Sequence, residues 1–351
     1  MPDTKTQARI AFIGCGHHST RSMLPAAVQA DNLDLVAVCD LDEQRARAAA
    51  RKFGARNYYT DAEQMLDREH PQGVIVIGTP QMQFEVGKQV LARGIPVLVE
   101  KPPALNSADA DEFSAFAAAR NTWGMVAFMK RFAPAYRIAK EIVSRPEFEG
   151  VHFLDAKFSQ GSYRCIWGLP SPAVSFLTGQ VVHIFDLIRF FGGDLEELHA
   201  FHHQAEPEKF GFAVSLRFAS GAIGVLNLNS LESREAWRGL EERLNIAGRE
   251  AALTVEDMLY LRYQSPQNWV EVPGLSHGRL HHTWQPTGPG APTIEYLLGY
   301  RDEIAHFADC LLKAVPASPS LADGAEALRI GEAVWQSVAT GHPTRPAQTA
   351  R

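Results

Sequence analysis

The sequence predicts an α/β protein of two domains. The first is a doubly wound parallel sheet, and the second is an α+β domain on a large, open, mainly antiparallel sheet. Three observations carry this. Over roughly residues 5–125, short runs rich in Val and Ile alternate with Ala-rich segments of helical character. That is the pattern of parallel strands covered on both faces. Beyond residue 125 the strands follow one another across short turns, which favours antiparallel pairing. At about 150 residues per domain, a chain of 351 residues also expects two domains.

The elements follow in order. Strands are expected at residues 10–15, 33–39, 74–77 and 97–99, with a further one at 125–128. Helices are expected at 22–30, 42–53, 84–93 and 107–120. The boundary is set at residue 125, giving domains 1–125 and 126–351. In the second domain 134–144 reads as a connecting helix, and 151–158, 195–202, 212–218 and 222–229 as strands. Ala219-Ser220-Gly221 makes a hairpin turn between the last two. Short strands are expected at 244–247, 253–255, 259–263 and 269–272, with a helix at 176–191 interrupting the series. Residues 273–292, rich in Pro, Gly and His, read as a long loop near a site or interface. Helices at 294–313 and 321–340 close the chain and are free to pack back on the first domain.

Composition narrows the function. Hydrophobic residues make up 46% of the chain and charged residues 21%. That is enough apolar surface to offset ordering entropy, which excludes a disordered protein. Forty acidic against 34 basic residues leave a net charge of −6. No Lys/Arg run tracks a phosphate backbone, so nucleic acid is not an expected partner. No membrane span is expected, since no apolar stretch approaches the about 20 residues one needs. Residues 1–9 are polar and show no signal-peptide core. Cys15, Cys39, Cys165 and Cys310 are scattered without a CxxC pair. This fits a reducing cytoplasm and argues against a disulfide framework or a cysteine zinc site. The pairs His17-His18, His202-His203 and His281-His282 read as surface residues, because adjacent side chains diverge, and no metal site is expected.

Two motifs carry chemistry. Gly14-Cys15-Gly16-His17-His18-Ser19 follows the first strand and resembles GxGxxG, with Ser19 in the third glycine's place. Gly14 permits the tight turn, and Gly16 lets backbone approach a pyrophosphate at the N-terminus of the next helix. His18 is expected near that pyrophosphate, with His17 beside it. Asp40 ends the second strand, about 20 residues beyond the turn, where a carboxylate binds the ribose hydroxyls of NAD and repels the 2′-phosphate of NADP. It also reads as a helix N-cap before Glu43. NAD is therefore expected over NADP. The second motif is Glu100-Lys101-Pro102 at the carboxyl end of a buried parallel strand. Such sheets bind ligands along that edge. Thr79-Pro80 ends the preceding strand in the same way and is expected to face the cofactor, as is Glu100. A half-desolvated Lys101 can take a substrate hydroxyl's proton, and a cis bond at Pro102 is expected to fix its direction. The alternative for Lys101 is a solvated lysine at a strand end.

Together with His183, Asp186, Met129-Lys130-Arg131-Phe132 and Tyr300-Arg301-Asp302-Glu303-Ile304, these residues resemble the Gfo/Idh/MocA family, the glucose–fructose oxidoreductase and inositol dehydrogenase group. The resemblance covers nearly the whole chain. It implies an N-terminal Rossmann domain, a C-terminal α/β domain with an open sheet, and NAD(P)-dependent oxidation or reduction of a sugar or cyclitol in a homodimer or homotetramer.

At about 100° per residue Gly179, His183 and Asp186 share one helix face, with Gln180 beside them. The resemblance gives His183 an acid–base role, which a near-neutral imidazole suits. Most relatives carry an aspartate four residues earlier, where this chain has Gly179; the expectation is room for a bulkier substrate. Trp167 is expected to wall the substrate pocket or to serve packing. Arg131 is expected to bind a substrate carboxylate or phosphate, or to form a structural ion pair. The leading expectation is an NAD-dependent dehydrogenase or reductase acting on CH–OH groups, with Lys101 and His183 handling the proton and Asp186 binding substrate hydroxyls. Two alternatives stand beside it: a redox-neutral epimerase, lyase or deglycosylase that keeps its NAD, and a non-catalytic sugar- or NAD-sensing protein.

Overall fold

The computed structural model describes residues 7–232, 240–265, 273–277, 281–286 and 292–347. The chain divides into two compact units, Met1–Phe132 with Thr293–Glu326, and Ala133–Pro292 with Ala327–Arg351. The division falls after Phe132 rather than at residue 125, and residues 293–326 return to the first unit.

The first unit holds six parallel strands in the order β3-β2-β1-β4-β5-β6. They are β1 (Ala8–Ile13), β2 (Leu33–Cys39), β3 (Asn57–Tyr59), β4 (Gly73–Val76), β5 (Val97–Glu100) and β6 (Gly124–Ala127). β4, β5 and β6 are buried along their whole length, as continuous apolar runs require. Each of the four crossover helices that follow β2 to β5 starts on a side-chain cap. Asp42 accepts from the amides of Gln44 and Arg45 at α2 (Glu43–Phe53), and Asp61 from Gln64 at α3 (Ala62–Glu69). Thr79 accepts from Met82 at α4 (Pro80–Ala92), and Asn106 from Asp109 at α5 (Ser107–Ala118).

The first unit departs from expectation at three places. The helix at 22–30 opens instead as a five-residue π turn, Ser19–Met23, followed by α1 (Leu24–Ala27). Pro25 has no amide to donate and crowds the preceding turn, which favours the wider closure. β3 and α3 stand where no element was expected; β3 is three largely exposed residues at the sheet edge. The helix at 294–313 breaks at Gly299, whose φ of 91° separates α9 (Ile294–Leu297) from α10 (Tyr300–Lys313). Glycine adopts that conformation without steric cost. α10 lies where Gly73 carries no side chain: a Cβ there would meet Leu311 Cδ1 at 2.5 Å and Phe307 Cζ at 3.0 Å.

The second unit is built on a sheet of nine described strands in the order β14-β15-β13-β12-β11-β7-β10-β9-β8. These are β7 (Phe153–Gln160), β8 (Leu195–Glu206), β9 (Lys209–Phe218), β10 (Ile223–Asn229), β11 (Leu240–Ala247), β12 (Ala252–Glu256), β13 (Tyr260–Gln264), β14 (Ser276–His277) and β15 (His282–Trp284). β7 and β10 pair in parallel and every other described pair is antiparallel. The β9–β10 hairpin turns at Ala219–Gly221, where Gly221 has φ 88°. The strand expected at 269–272 lies outside the described residues, and the loop expected at 273–292 carries β14 and β15. Alternation along the strands sends Leu154, Ala156 and Phe158, with Phe212, Val214 and Leu216, to one buried face. Helix α6 (Pro134–Val143) and α11 (Leu321–Thr340) complete the architecture.

The helix at 176–191 is longer than expected and has three parts: α7 (Pro172–Phe176), a π turn at 177–181, and α8 (Val182–Gly192). It is 21 residues long, and its most apolar 18-residue window has a mean hydropathy of 1.3, long and apolar enough to cross a membrane by length and composition. This corrects the expectation that no such stretch exists. In its most apolar stretch 72% is buried inside the protein, as befits a core helix that is apolar nearly all round.

Candidate active site

In the first unit the functional side chains gather because the strands are parallel. Ile13 pairs with Cys39 and Val76, and Val76 with Val99, so the chain leaves β1, β2, β4 and β5 along one edge. Gly14, Asp40, Thr79 and Lys101 follow the ends of those strands. The strand order reverses between β1 and β4, which is the position where open α/β sheets take their ligands.

The glycine turn is shaped for close approach. Gly14 has φ 97°, and a Cβ there would lie 1.9 Å from the carbonyl oxygen of Ile77. Its amide donates to the Cys39 carbonyl at 2.8 Å. Gly16 faces open space, with no atom within 4 Å of where a Cβ would sit. A cleft of about 380 Å³ opens beside it, lined by Gly16, His17 and Thr20 and by Arg45, Ala49 and Lys52 of α2. Ser19, in the third glycine's place, is fully buried at the start of the π turn.

Asp40 braces the glycine turn rather than capping a helix. Its Oδ2 accepts from the amide of Cys15 at 2.8 Å and its Oδ1 from the amide of Asp42 at 3.0 Å. One carboxylate thus ties the glycine turn to the end of β2, and each oxygen keeps a lone pair for a ribose hydroxyl. The N-cap of α2 is Asp42, not Asp40. Burial, with Asp40 adding its charge, pushes the Cys15 thiol up to about 12 and the Cys39 thiol up to about 11.

Around Lys101 the chain builds a polar knot. Glu100 is buried, with its Oε1 2.8 Å from His18 Nε2 and its Oε2 accepting from the Lys101 amide at 3.0 Å. Burial works against the charge on Glu100, yet His18 and Lys101 together outweigh it and hold this carboxyl below the usual range. His18 therefore turns to Glu100, and both oxygens of Glu100 are engaged within the protein. The Lys101–Pro102 peptide is cis, as expected. Sequence reasoning missed Gln83. This buried residue of α4 donates from Nε2 to the carbonyls of Glu100 at 3.0 Å and Pro102 at 3.1 Å, fixing the backbone on both sides of Lys101. A polar residue in the first turn of α4, four after Thr79, was its only signal. Arg131 lies in a 3₁₀ turn, Met129–Phe132, and reaches Asp323 at 3.5 Å.

In the second unit, His183 and Asp186 lie on α8 and are 8% and 1% exposed. Gln180 lies half-buried in the π turn. The even stripe drawn through Gly179 holds only from Val182 onward, because the turn before it is wider. Gly179 leaves no vacant room. A Cβ there would meet Ile166 Cδ1 at 2.7 Å, the Tyr163 hydroxyl at 3.0 Å and Trp167 Cζ3 at 3.3 Å. The chain's own loop occupies the space expected for substrate. Trp167 has φ 53°, and the amide of Ile166 donates to Ser175 Oγ at 3.2 Å, which clamps that loop to α7. Burial pushes the Tyr163 phenol up to about 12. His202 packs at 4.7 Å on Phe212 and at 5.9 Å on Trp335, and burial lowers its pKa.

The architecture and residues have known counterparts. The profile of the GFO_IDH_MocA oxidoreductase family, NAD-binding Rossmann fold, matches residues 8–128, and its C-terminal alpha/beta domain matches 158–345. A D-apiose dehydrogenase of Paraburkholderia graminis is 30% identical over 232 residues, 64% of this chain and 61% of that protein. A myo-inositol 2-dehydrogenase of Thermotoga maritima is 25% identical over 264 residues, 71% of this chain and 75% of that one. The chain thus spans under two thirds of the apiose enzyme's length. Among solved structures, a levoglucosan dehydrogenase in complex with NADH shares the fold, with a TM-score of 0.82, 19% identity, and coverage of 98% of this chain and 100% of that one.

Proposed function

The chain belongs to the Gfo/Idh/MocA oxidoreductase family, and on that premise we propose that it is an NAD-dependent dehydrogenase acting on a secondary hydroxyl of a sugar, sugar derivative or cyclitol. The observation that carries this is the shared edge of the parallel sheet, where Gly14, Asp40 and Lys101 follow the ends of β1, β2 and β5 on either side of the reversal of strand order. The names of the apiose and inositol relatives support the substrate class.

The residues present fit a dinucleotide. Gly16 leaves its backbone open to a pyrophosphate, His17 lines the adjoining cleft, and Ser19 packs the turn that follows. Asp40 accepts from the ribose hydroxyls, and a 2′-phosphate there meets a carboxylate already held by two amides. Thr79 and Pro80 border the same edge. When bound, NAD exchanges hydride with the carbinol carbon at nicotinamide C4. Lys101 takes the hydroxyl proton in oxidation and returns it in reduction, and His183 shares this work. Gln180 and Asp186 bind substrate hydroxyls. Trp167 shapes the loop over Gly179, and Arg131, paired with Asp323, serves as structure.

The partner is a small carbohydrate or cyclitol. The compartment is the cytoplasm, in keeping with four free cysteines. A second copy of the chain covers the exposed face of the nine-stranded sheet, giving a homodimer or a homotetramer. On that face Phe201 is 66% exposed and Ile223 50%.

The experiment is a panel of aldoses, ketoses, anhydrosugars and inositols with NAD, read at the NADH absorbance band. Turnover on at least one member with NAD preferred over NADP is expected. NAD that co-purifies and survives turnover unreduced marks a redox-neutral cycle, and binding without turnover across the panel marks a sensor.

A further inference from the structure

We propose that His18 is a positioning residue for Lys101, acting through Glu100, so that the glycine turn and the proton-handling end of β5 move as one unit. The inference rests on the reading that Lys101 handles the substrate proton.

The contacts form one unbroken chain. His18 lies two residues beyond Gly16, at the entry to the π turn, with φ −66° and ψ −42°. Its Nε2 is 2.8 Å from Glu100 Oε1, and the other oxygen of that carboxylate accepts from the Lys101 amide at 3.0 Å. The Tyr300 ring stands edge-on to the imidazole at 5.9 Å and bounds it further. The Glu100 side chain is only 7% exposed against 41% for His18. A carboxylate this buried depends on its partners, and removing one leaves the charge poorly compensated. Its backbone cannot drift to compensate, because Gln83 holds the carbonyls of Glu100 and Pro102.

The groups acting on Glu100 are His18 from the glycine turn and Lys101 on its own strand end. The reverse action follows by reciprocity: the carboxylate favours the ammonium form of Lys101.

The test uses the full chain in four forms: wild type, His18→Ala, His18→Gln and Glu100→Gln. Reductive ¹³C-methylation of lysines, with the Lys101 signal assigned by Lys101→Arg, reads the ionisation of Lys101 by NMR without substrate or turnover. NADH fluorescence titration gives the Kd separately. On any sugar the wild type oxidises, kcat and KM complete the set.

Glu100→Gln is expected to lower the Lys101 titration by roughly one pH unit, since the neighbouring negative charge is gone. His18→Ala is expected to shift that titration too and to cut kcat roughly tenfold, with the NADH Kd within about threefold of wild type. His18→Gln, which keeps a donor within reach of the same carboxylate oxygen, is expected to recover most of both. A Lys101 titration that stays put in both Glu100→Gln and His18→Ala overturns the proposal. So does a tenfold weaker NADH Kd in His18→Ala with kcat unchanged, which makes His18 a plain nucleotide ligand. If the wild type oxidises no sugar, the dehydrogenase reading falls, while the lysine titration still decides whether Glu100 and His18 act on Lys101.

Discussion

The hydroxyl of Tyr163 stands 3.0 Å from the point where a Cβ on residue 179 would begin, and Gly179 is what allows it. The loop that carries Tyr163, Ile166 and Trp167 therefore packs onto the π turn ahead of His183. This makes Gly179 a packing residue, and its exchange has a stated cost. Gly179→Asp forces a Cβ to within 2.7 Å of Ile166 Cδ1 and adds a carboxylate among aromatic rings. Overpacking of this kind costs about 1–3 kcal/mol. Urea unfolding is expected to show an unfolding free energy lower by that amount, read as a lower midpoint at unchanged slope, and an unchanged midpoint would count against the packing described.

Asp40 serves the turn and the cofactor at once. Asp40→Ser removes a carboxylate that holds the Cys15 and Asp42 amides and that opposes a 2′-phosphate. The ratio of NADPH to NADH dissociation constants is expected to fall at least about tenfold, one tenfold step being about 1.4 kcal/mol. Parallel fluorescence titrations with the two reduced nucleotides measure it; equal weakening for both would leave Asp40 with the turn alone.

Gln83 is a buried brace for Lys101. Gln83→Leu strips the donors from two carbonyls, those of Glu100 and Pro102. Each buried acceptor left unmade costs about 1–3 kcal/mol. With two acceptors left open, a stability loss of about 2–6 kcal/mol by chemical denaturation, accompanied by a lower kcat, is expected. Wild-type stability would show that water or another group replaces the amide without penalty.

The cysteines are expected to differ in reactivity. Cys15 and Cys39 have thiols pushed up to about 12 and about 11, so at pH 8 almost none of either is thiolate. The nucleophile is the thiolate. Cys310 is also buried and its thiol raised, whereas Cys165 is exposed. Iodoacetamide at pH 8 is expected to add one label to the native protein, at Cys165, as read by peptide mass spectrometry. Rapid labelling of Cys15 would contradict the burial of the glycine turn.

Much of the first unit was legible because its signals are local. β2 is an apolar run bounded by polar residues, and it appears at Leu33–Cys39 as expected. α2 starts at Asp42, whose side chain accepts its first amides, whereas α4 begins at Pro80, ahead of the expected start at 84. The glycine turn, Asp40 and Lys101 could be placed on one edge because parallel strands end together. What stayed hidden depends on distant partners. The π turn at 177–181 closes one residue wider than the α-helical period assumes, so the drawn stripe through Gly179 drifts. The break at Gly299 sits inside a continuous apolar pattern. β3 is too short and exposed to leave a periodic trace. Gln83 with Glu100, and His18 with Glu100, join residues 17 and 82 apart in sequence, and nothing in either local stretch announces the contact.

The most direct test of the account is single-turnover hydride transfer in Lys101→Ala on the sugar the wild type oxidises best, with NADH binding measured on the same preparation. A rate at least about 100-fold below wild type is expected, the range a general acid–base group contributes, with the nucleotide Kd nearly unchanged. Hydride transfer within threefold of wild type in that variant would contradict it.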